Sequence, residues 1–253
     1  MKFFLYSLGT ALLIGVTAAA WTVTSANNPF HFTEYEEGFD DAPVAEEESD
    51  AAPFQDWQRP EGPLKVALQA GHWKNSEVPE ELDGLKRNGS GAVGGGTNEQ
   101  RVVLKIAELA AEQLRAKGIK VDVLPTTVPP DYYADAFVSI HADGSLDPSV
   151  TGFKLAHPRR DYSGKSAALE DIFYTEYEKA TGFIRDPNVT RRMRGYYAFN
   201  WRRYEHAIHP MTPAVILETG FLTSPHDQKI LIHKPEVAAQ AITDALVIFL
   251  GVE

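Results

Sequence analysis

Short apolar runs and longer helical stretches follow one another along residues 64–253. The apolar runs are short and end near glycine, proline or histidine, as buried strands often do. Between them, apolar residues recur three or four positions apart, as on the buried face of a helix. Strands are predicted over 64–70, 119–125, 136–142, 151–157 and 214–221; helices are predicted from a capping box of Thr97 and Gln100 to Gly118, over 163–181, and from Pro235 to Phe249.

This order of elements predicts the fold class. Strands that alternate with helices favour parallel pairing, with the sheet enclosed between helical layers. We therefore expect residues 64–253 to form a single α/β domain, with a mostly parallel twisted sheet covered by helices on both faces. One hydrophobic core is sufficient for a domain of this size.

The start of the chain has a different pattern. Residues 3–26 carry no charge and follow Lys2, and a helix of this length, at about 1.5 Å per residue, could cross a hydrocarbon core of about 30 Å. We predict that residues 1–26 are a signal peptide or a signal anchor, which places the rest of the chain outside the cytoplasm. The small residues Thr24-Ser25-Ala26 offer a cleavage site, whereas the apolar length favours a retained anchor, so both options stay open.

Residues 27–63 carry most of the negative charge of the chain. Eleven acidic residues accompany only Arg59 in this stretch, against a net charge of −11 for all 253 residues. Few aliphatic side chains and strong like-charge repulsion predict a disordered acidic linker. Residues 64–253 are close to neutral, and the chain has no cysteine, which excludes a disulfide framework.

Three side chains with ligand chemistry lie at or near the ends of separate predicted strands: His72, His141 and Glu218. The carboxyl ends of parallel strands meet at one edge of a sheet, where α/β proteins form their ligand crevices. Glu99 begins the first long helix, where an acid also complements the helix dipole. Two imidazoles and one carboxylate are a ligand set that zinc accepts with its fourth position open, and Glu218 would then be free to transfer protons.

Four motifs in this order resemble the zinc-dependent N-acetylmuramoyl-L-alanine amidases of the amidase 3 family. They are GH at 71–72, the acid at 99, SIHA at 139–142 and LETGF at 217–221. The resemblance covers residues 64–253 and implies one Zn²⁺ per chain, with His72, Glu99 and His141 as ligands and Glu218 as the catalytic carboxylate. It also implies hydrolysis of the amide between N-acetylmuramic acid and the L-alanine of the peptidoglycan stem peptide.

The chain departs from the family pattern around these motifs. Gln69 stands where the family usually has an aspartate, Trp73-Lys74 follow the first histidine in place of two glycines, and Asp143 replaces the more usual asparagine. The loop 73–96 is long and glycine-rich, and whether it regulates access to the site stays open. None of these departures removes a predicted ligand or the predicted base.

The segment 185–210 combines six arginines with interleaved aromatic residues. Such a mixture suits an anionic glycan, but it also occurs where solvated arginines cover aromatic core residues. Single-stranded nucleic acid is a third option, which export of the chain argues against. His206 and His209 lie three apart and are left out of the ligand set, although His206 could contact the substrate.

Together these features predict a monomeric enzyme of the cell envelope that acts on peptidoglycan and binds no nucleic acid. Membrane anchoring would depend on the N-terminal helix. Two alternatives stay open: a zinc-dependent peptidase of similar fold that acts on free peptides, and a catalytically silent wall-binding module.

Overall fold

The computed structural model describes residues 54–252, so the predicted signal segment 1–26 and residues 27–53 of the predicted linker lie outside the described residues. The strands are β1 Lys65–Ala70, β2 Val93–Gly94, β3 Thr97–Asn98, β4 Lys120–Leu124, β5 Ala136–Asp143, β6 Lys154–Ala156 and β7 Ala214–Phe221. The α-helices are α1 Glu99–Ala116, α2 Ser166–Thr181, α3 Arg191–Arg194, α4 Gln228–Leu231 and α5 Pro235–Leu250. Short 3-10 helices cover Asn75–Glu77, Glu80–Asn88 and Tyr197–Phe199.

Five strands form the main sheet in the order β4-β1-β5-β7-β6. The first four are parallel, and β6 pairs antiparallel with β7 at one edge. The mixed α/β fold with a mostly parallel sheet is therefore confirmed. The order puts β1, β5 and β7 side by side in the middle, so the three strands that lead to His72, His141 and Glu218 are neighbours.

The long helices all contribute to one hydrophobic core on the first face of the sheet. Alternate residues of β1, β5 and β7 pack there against α1, α2 and α5. The α1 helix buries Val103, Ile106 and Leu114 at helical spacing. Its N-cap is Asn98, which accepts a hydrogen bond from the Arg101 amide, whereas Thr97 belongs to β3. The predicted capping residue was therefore one position too early.

The second face of the sheet carries no long helix in the described part of the chain. Its core consists of side chains from β1, β5 and β7 covered by the 3-10 helices, by the loop after β4 and by the segment that contains Tyr197, Tyr204 and Ile208. The prediction of helices on both faces is therefore correct for the first face, whereas the described residues form only short helical turns on the second face. Loops could cover this face because they bring enough aromatic and aliphatic side chains to bury it.

Residues 54–63, which the sequence assigned to the linker, pack against the domain. The Arg59 guanidinium binds both carboxylate oxygens of Asp135, at 2.5 and 2.8 Å. The Trp57 ring stacks on His209 with 5.6 Å between ring centroids. Aromatic and bidentate contacts offset the cost of ordering this short stretch, so the packed domain begins before residue 64. Across residues 54–252, no helix has both the length and the apolar character that a membrane span requires.

Candidate metal centre

The structure brings His72, Glu99 and His141 together. One ligand atom from each residue lies within 4.8 Å of those of the other two. His72 follows β1, Glu99 is the first residue of α1, and His141 lies near the carboxyl end of β5. Three elements that are distant along the chain thus converge at the edge of the sheet where the sequence placed the crevice.

His72 is held in an unusual backbone conformation. Its φ of 61° lies in the left-handed region, which non-glycine residues seldom occupy and which is often found at functional sites. The Asn75 amide nitrogen lies 3.2 Å from His72 Nδ1 and donates to the Gly89 carbonyl at 2.9 Å, so the loop that follows wraps around the ring. Burial lowers the pKa of His72, although the charge of Glu99 opposes this. The ring is therefore neutral near pH 7 and has a lone pair for a cation.

Gly71 provides the space that His141 occupies. A Cβ at position 71 would lie 2.5 Å from Cε1, 2.6 Å from Nδ1 and 2.7 Å from Nε2 of the His141 ring. No side chain larger than hydrogen fits there without moving the imidazole. This contact explains why a glycine precedes His72 in the GH motif: it makes room for the histidine of the neighbouring strand.

Glu99 is buried and faces both histidines. Its Oε1 accepts a hydrogen bond from the Ala142 amide at 3.1 Å and lies 2.9 Å from His141 Nδ1. Its Oε2 accepts from the Ala92 amide at 2.9 Å and lies 3.3 Å from His72 Nε2. Burial alone would raise the pKa of Glu99, but the two histidines and the amide donors outweigh it and lower the pKa. The carboxylate is therefore ionised in front of both rings.

The polar atoms of this group fit a bound cation. His141 Nε2 and Glu218 Oε2 are both buried and have no hydrogen-bond partner within residues 54–252. Buried polar groups without partners are rare and call for an explanation. A metal ion with a bound ligand would provide partners for such atoms, so the His72, Glu99 and His141 group could hold a metal ion.

Glu218 lies beside the ligand group in the sheet. On the second face it forms a row with His141 of β5, its parallel partner, and Lys154 of β6, its antiparallel partner. Burial raises the pKa of Glu218 well above its ordinary value; the charges of Asp143 and Glu99 raise it further, and Lys154 opposes them. A carboxyl group with a raised pKa beside a potential metal site has the properties of a proton-transfer group.

A buried lysine next to Glu218 was missed by sequence reasoning. The Lys154 ammonium donates to Asp186 at 2.8 Å and pairs with Asp143 at 2.6 Å, and it lies 5.3 Å from the centroid of the Phe221 ring. The sequence shows a lysine in a predicted strand, but it does not reveal that β6 is antiparallel and which residue Lys154 faces. That pairing is a tertiary feature with no local signal.

The segment 185–210 contributes aromatic residues beneath this site. Tyr197 and Tyr204 are buried in the core of the second face, whereas Arg191 and Arg192 are exposed. Aromatic core residues with arginines over them were one of the options that the sequence allowed. His206 lies 2.7 Å from Glu81, away from the ligand group.

His209 is also separate from the ligand group. It packs between aromatic rings of the opposite end of the domain, including Trp57 and Tyr133.

Comparison with known proteins identifies the family. Residues 66–247 match the amidase 3 family, which is described as N-acetylmuramoyl-L-alanine amidase. N-acetylmuramoyl-L-alanine amidase AmiA of Salmonella typhimurium is 28% identical over 187 residues, which cover 56% of this chain and 64% of that protein. The chain thus spans less than two thirds of the length of this curated relative.

Solved structures share the fold. AmiC2, an N-acetylmuramoyl-L-alanine amidase of Nostoc punctiforme, superposes with a TM-score of 0.54 at 22% identity over 76% of this chain and 99% of that chain. The catalytic domain of CwlV from Bacillus (Paenibacillus) polymyxa gives a TM-score of 0.52 at 21% identity, over 75% of this chain and 99% of that chain. Since the family match spans most of its length, the chain belongs to the amidase 3 family of N-acetylmuramoyl-L-alanine amidases.

Proposed function

We propose that the chain is a zinc-dependent peptidoglycan amidase, which hydrolyses the amide between N-acetylmuramic acid and the L-alanine of the stem peptide. The observation that carries this proposal is the convergence of His72, Glu99 and His141 within 4.8 Å, with Glu218 as the ladder partner of His141. Family membership and the name of the Salmonella relative support the choice of substrate.

Zinc is the metal that suits these residues. Two imidazoles and a carboxylate are the ligand set of several hydrolytic zinc sites, which keep a fourth position open. Softer sites would use thiolates, and the chain has no cysteine. When bound, zinc would supply Lewis-acid chemistry, which polarises an amide carbonyl and makes a water molecule more acidic.

Glu218 would carry the proton in this reaction. Its carboxylate would take a proton from the attacking water and later deliver the proton to the alanine nitrogen, which leaves as an amine. The free Oε2 atom is available for this role because it has no partner in the described residues. His72 and His141 would serve as ligands, while Glu99 would supply the negative charge that balances the cation.

The location of the enzyme follows from its substrate. Peptidoglycan lies outside the cytoplasm, so residues 64–253 would act as a catalytic domain in the cell envelope. We propose that residues 1–26 export the chain, either as a cleaved signal or as an anchor in the membrane, and that the acidic residues 27–53 form a spacer. On this account the enzyme acts as a monomer, since all four functional residues come from one chain.

Digestion of purified peptidoglycan tests this function. The protein should release new N-terminal alanine and leave intact muramic acid free of peptide. Glu218→Gln keeps the size of the side chain but cannot act as a base, so it should bind zinc and lose turnover. Peptide cleavage without release of N-terminal alanine would favour the zinc peptidase, and zinc binding without any hydrolysis by the wild-type chain would favour the silent module. Undiminished digestion by Glu218→Gln would reject the assigned base.

A further inference from the structure

A buried polar network lies beneath the candidate metal centre, on the same face of the sheet. Gln69, on β1, is fully buried. Its side-chain nitrogen donates to the Thr126 carbonyl at 2.7 Å and to the Tyr197 hydroxyl at 2.8 Å, and its oxygen accepts from the Tyr196 hydroxyl at 2.9 Å. Both amide donors and one acceptor of Gln69 are thus in use, which fixes the orientation of this side chain.

Tyr196 connects this network to a predicted ligand. Its ring meets the His141 imidazole edge to face, with 5.8 Å between centroids and an angle of 82°. The Tyr196 hydroxyl donates to the Gln69 side-chain oxygen, which holds the far end of the tyrosine side chain. The Phe199 ring also packs edge to face against the Tyr196 ring, with 5.5 Å between centroids. The tyrosine ring is therefore anchored at its hydroxyl and along its side.

The His141 ring needs such a support. Within residues 54–252 its one hydrogen-bonding contact is Glu99 Oε1, and Nε2 has none. A ring with a single polar contact can pivot about that contact, and ligand nitrogens must be placed to within about 0.2 Å for a metal. The Gly71 backbone and the Tyr196 ring both touch the imidazole and limit this pivoting.

We propose that Gln69, acting through Tyr196, positions His141 for metal binding. The inference rests on the proposed metal centre and deepens it. Gln69 stands where the family resemblance expects an aspartate, so this pair would orient the ligand without adding a further negative charge to a site that already holds Glu99 and Glu218. In this chain the neutral Gln69 amide and the Tyr196 phenol would support the proposed metal centre.

The zinc dissociation constant of the full chain tests this role. It can be measured by competition with a chromophoric chelator for the wild type and three variants. Tyr196→Leu removes the ring edge, and Tyr196→Phe removes only the hydroxyl that binds Gln69. Tyr197→Phe is the matched control, because it removes a hydroxyl from the same Gln69 amide, while no ring contact joins Tyr197 to His141. Urea unfolding of the metal-free proteins separates loss of stability from loss of positioning.

We expect Tyr196→Leu to weaken zinc binding by roughly tenfold or more, as loss of a supporting residue does in other metal sites. Tyr196→Phe should weaken it less, and Tyr197→Phe should lower stability but weaken zinc binding least, because the Gln69 amide still donates to the Thr126 carbonyl. If Tyr196→Leu does not fold, the comparison of the two phenylalanine variants decides. Wild-type affinity in both Tyr196 variants, or equal losses at 196 and 197, would overturn the proposal. A wild-type chain that binds no zinc would instead reject the metal centre itself, and the inference with it.

Discussion

Substitution of Gly71 by alanine gives a direct steric test of the site. Gly71 does not occupy the left-handed region, so alanine adds no strain of that kind, and any loss of zinc affinity would come from the new methyl group. That methyl would meet three atoms of the His141 ring at 2.5 to 2.7 Å, and the nearest would have to retreat by about 0.9 Å to reach ordinary contact at 3.4 Å. Metal–ligand distances tolerate only about 0.2 Å.

We therefore expect Gly71→Ala to weaken zinc binding by about 100-fold, the scale of loss that a 1 Å misplacement of a functional group can cause. This corresponds to about 2.7 kcal/mol of binding free energy. Crowding of the core should also lower the free energy of unfolding by about 1–3 kcal/mol. Chelator competition measures the first effect and urea unfolding of the metal-free protein the second.

Gly84→Ala is the matched control for this substitution. Gly84 also lies outside the left-handed region, and a Cβ there would meet only the end of the Arg87 side chain at 3.7 Å. Zinc affinity should be unchanged in this variant. A folded Gly71→Ala protein that binds zinc as tightly as the wild type would refute the argument that His141 must lie against the Gly71 backbone to act as a ligand.

Three further experiments test other parts of the domain. Lys74→Gly should raise the free energy of unfolding by about 1 kcal/mol, since φ is 63° at this position, and an unchanged urea midpoint would show that no strain is stored there. Burial alone would raise the pKa of Asp135, but Arg59 and other hydrogen-bond donors hold it below its ordinary value. The Arg59–Asp135 pair therefore stabilises the fold fully above about pH 4, the pKa of an unfolded aspartate. This stabilisation is lost as the pH falls through the lower pKa of Asp135 in the folded protein. The stability difference between wild type and Arg59→Gln should accordingly shrink in acid, and a constant difference from pH 7 to pH 2 would contradict this. Lys154→Met removes the cationic partner of the buried Asp186 carboxylate, which keeps its hydrogen bonds from Asn188, and should lower the free energy of unfolding in urea by about 3–5 kcal/mol. Adding Asp186→Asn should recover part of that loss, and no recovery would exclude the ion pair as its cause.

The central part of the fold could be predicted from sequence because its signals are local. His72, His141 and Glu218 were predicted at or near the carboxyl ends of three apolar strands, and parallel pairing brings such ends to one edge whatever the exact strand order. Glu99 could be added because it opens the helix after β1. The convergence of these residues therefore depended on strand direction alone, which the alternation of strands and helices indicates.

The features that the sequence did not predict depend on tertiary contacts. The second face is covered by loops and short 3-10 helices, whose aromatic residues show no periodicity, so the short and irregular form of this cover was not predicted. The antiparallel direction of β6 has no local signature, so the sequence did not reveal that Lys154 lies opposite Glu218 in the sheet. Likewise, the acidic composition before residue 64 predicted disorder, but Arg59 and Trp57 find specific partners on the domain.

Metal analysis of the purified chain tests the central claim most directly. The account predicts one zinc per chain in the wild type and in Glu218→Gln, and loss of the metal in His141→Ala without unfolding of the domain. Zinc that stays bound at full stoichiometry and affinity in His141→Ala, or a wild-type chain that takes up no zinc at neutral pH, would contradict it.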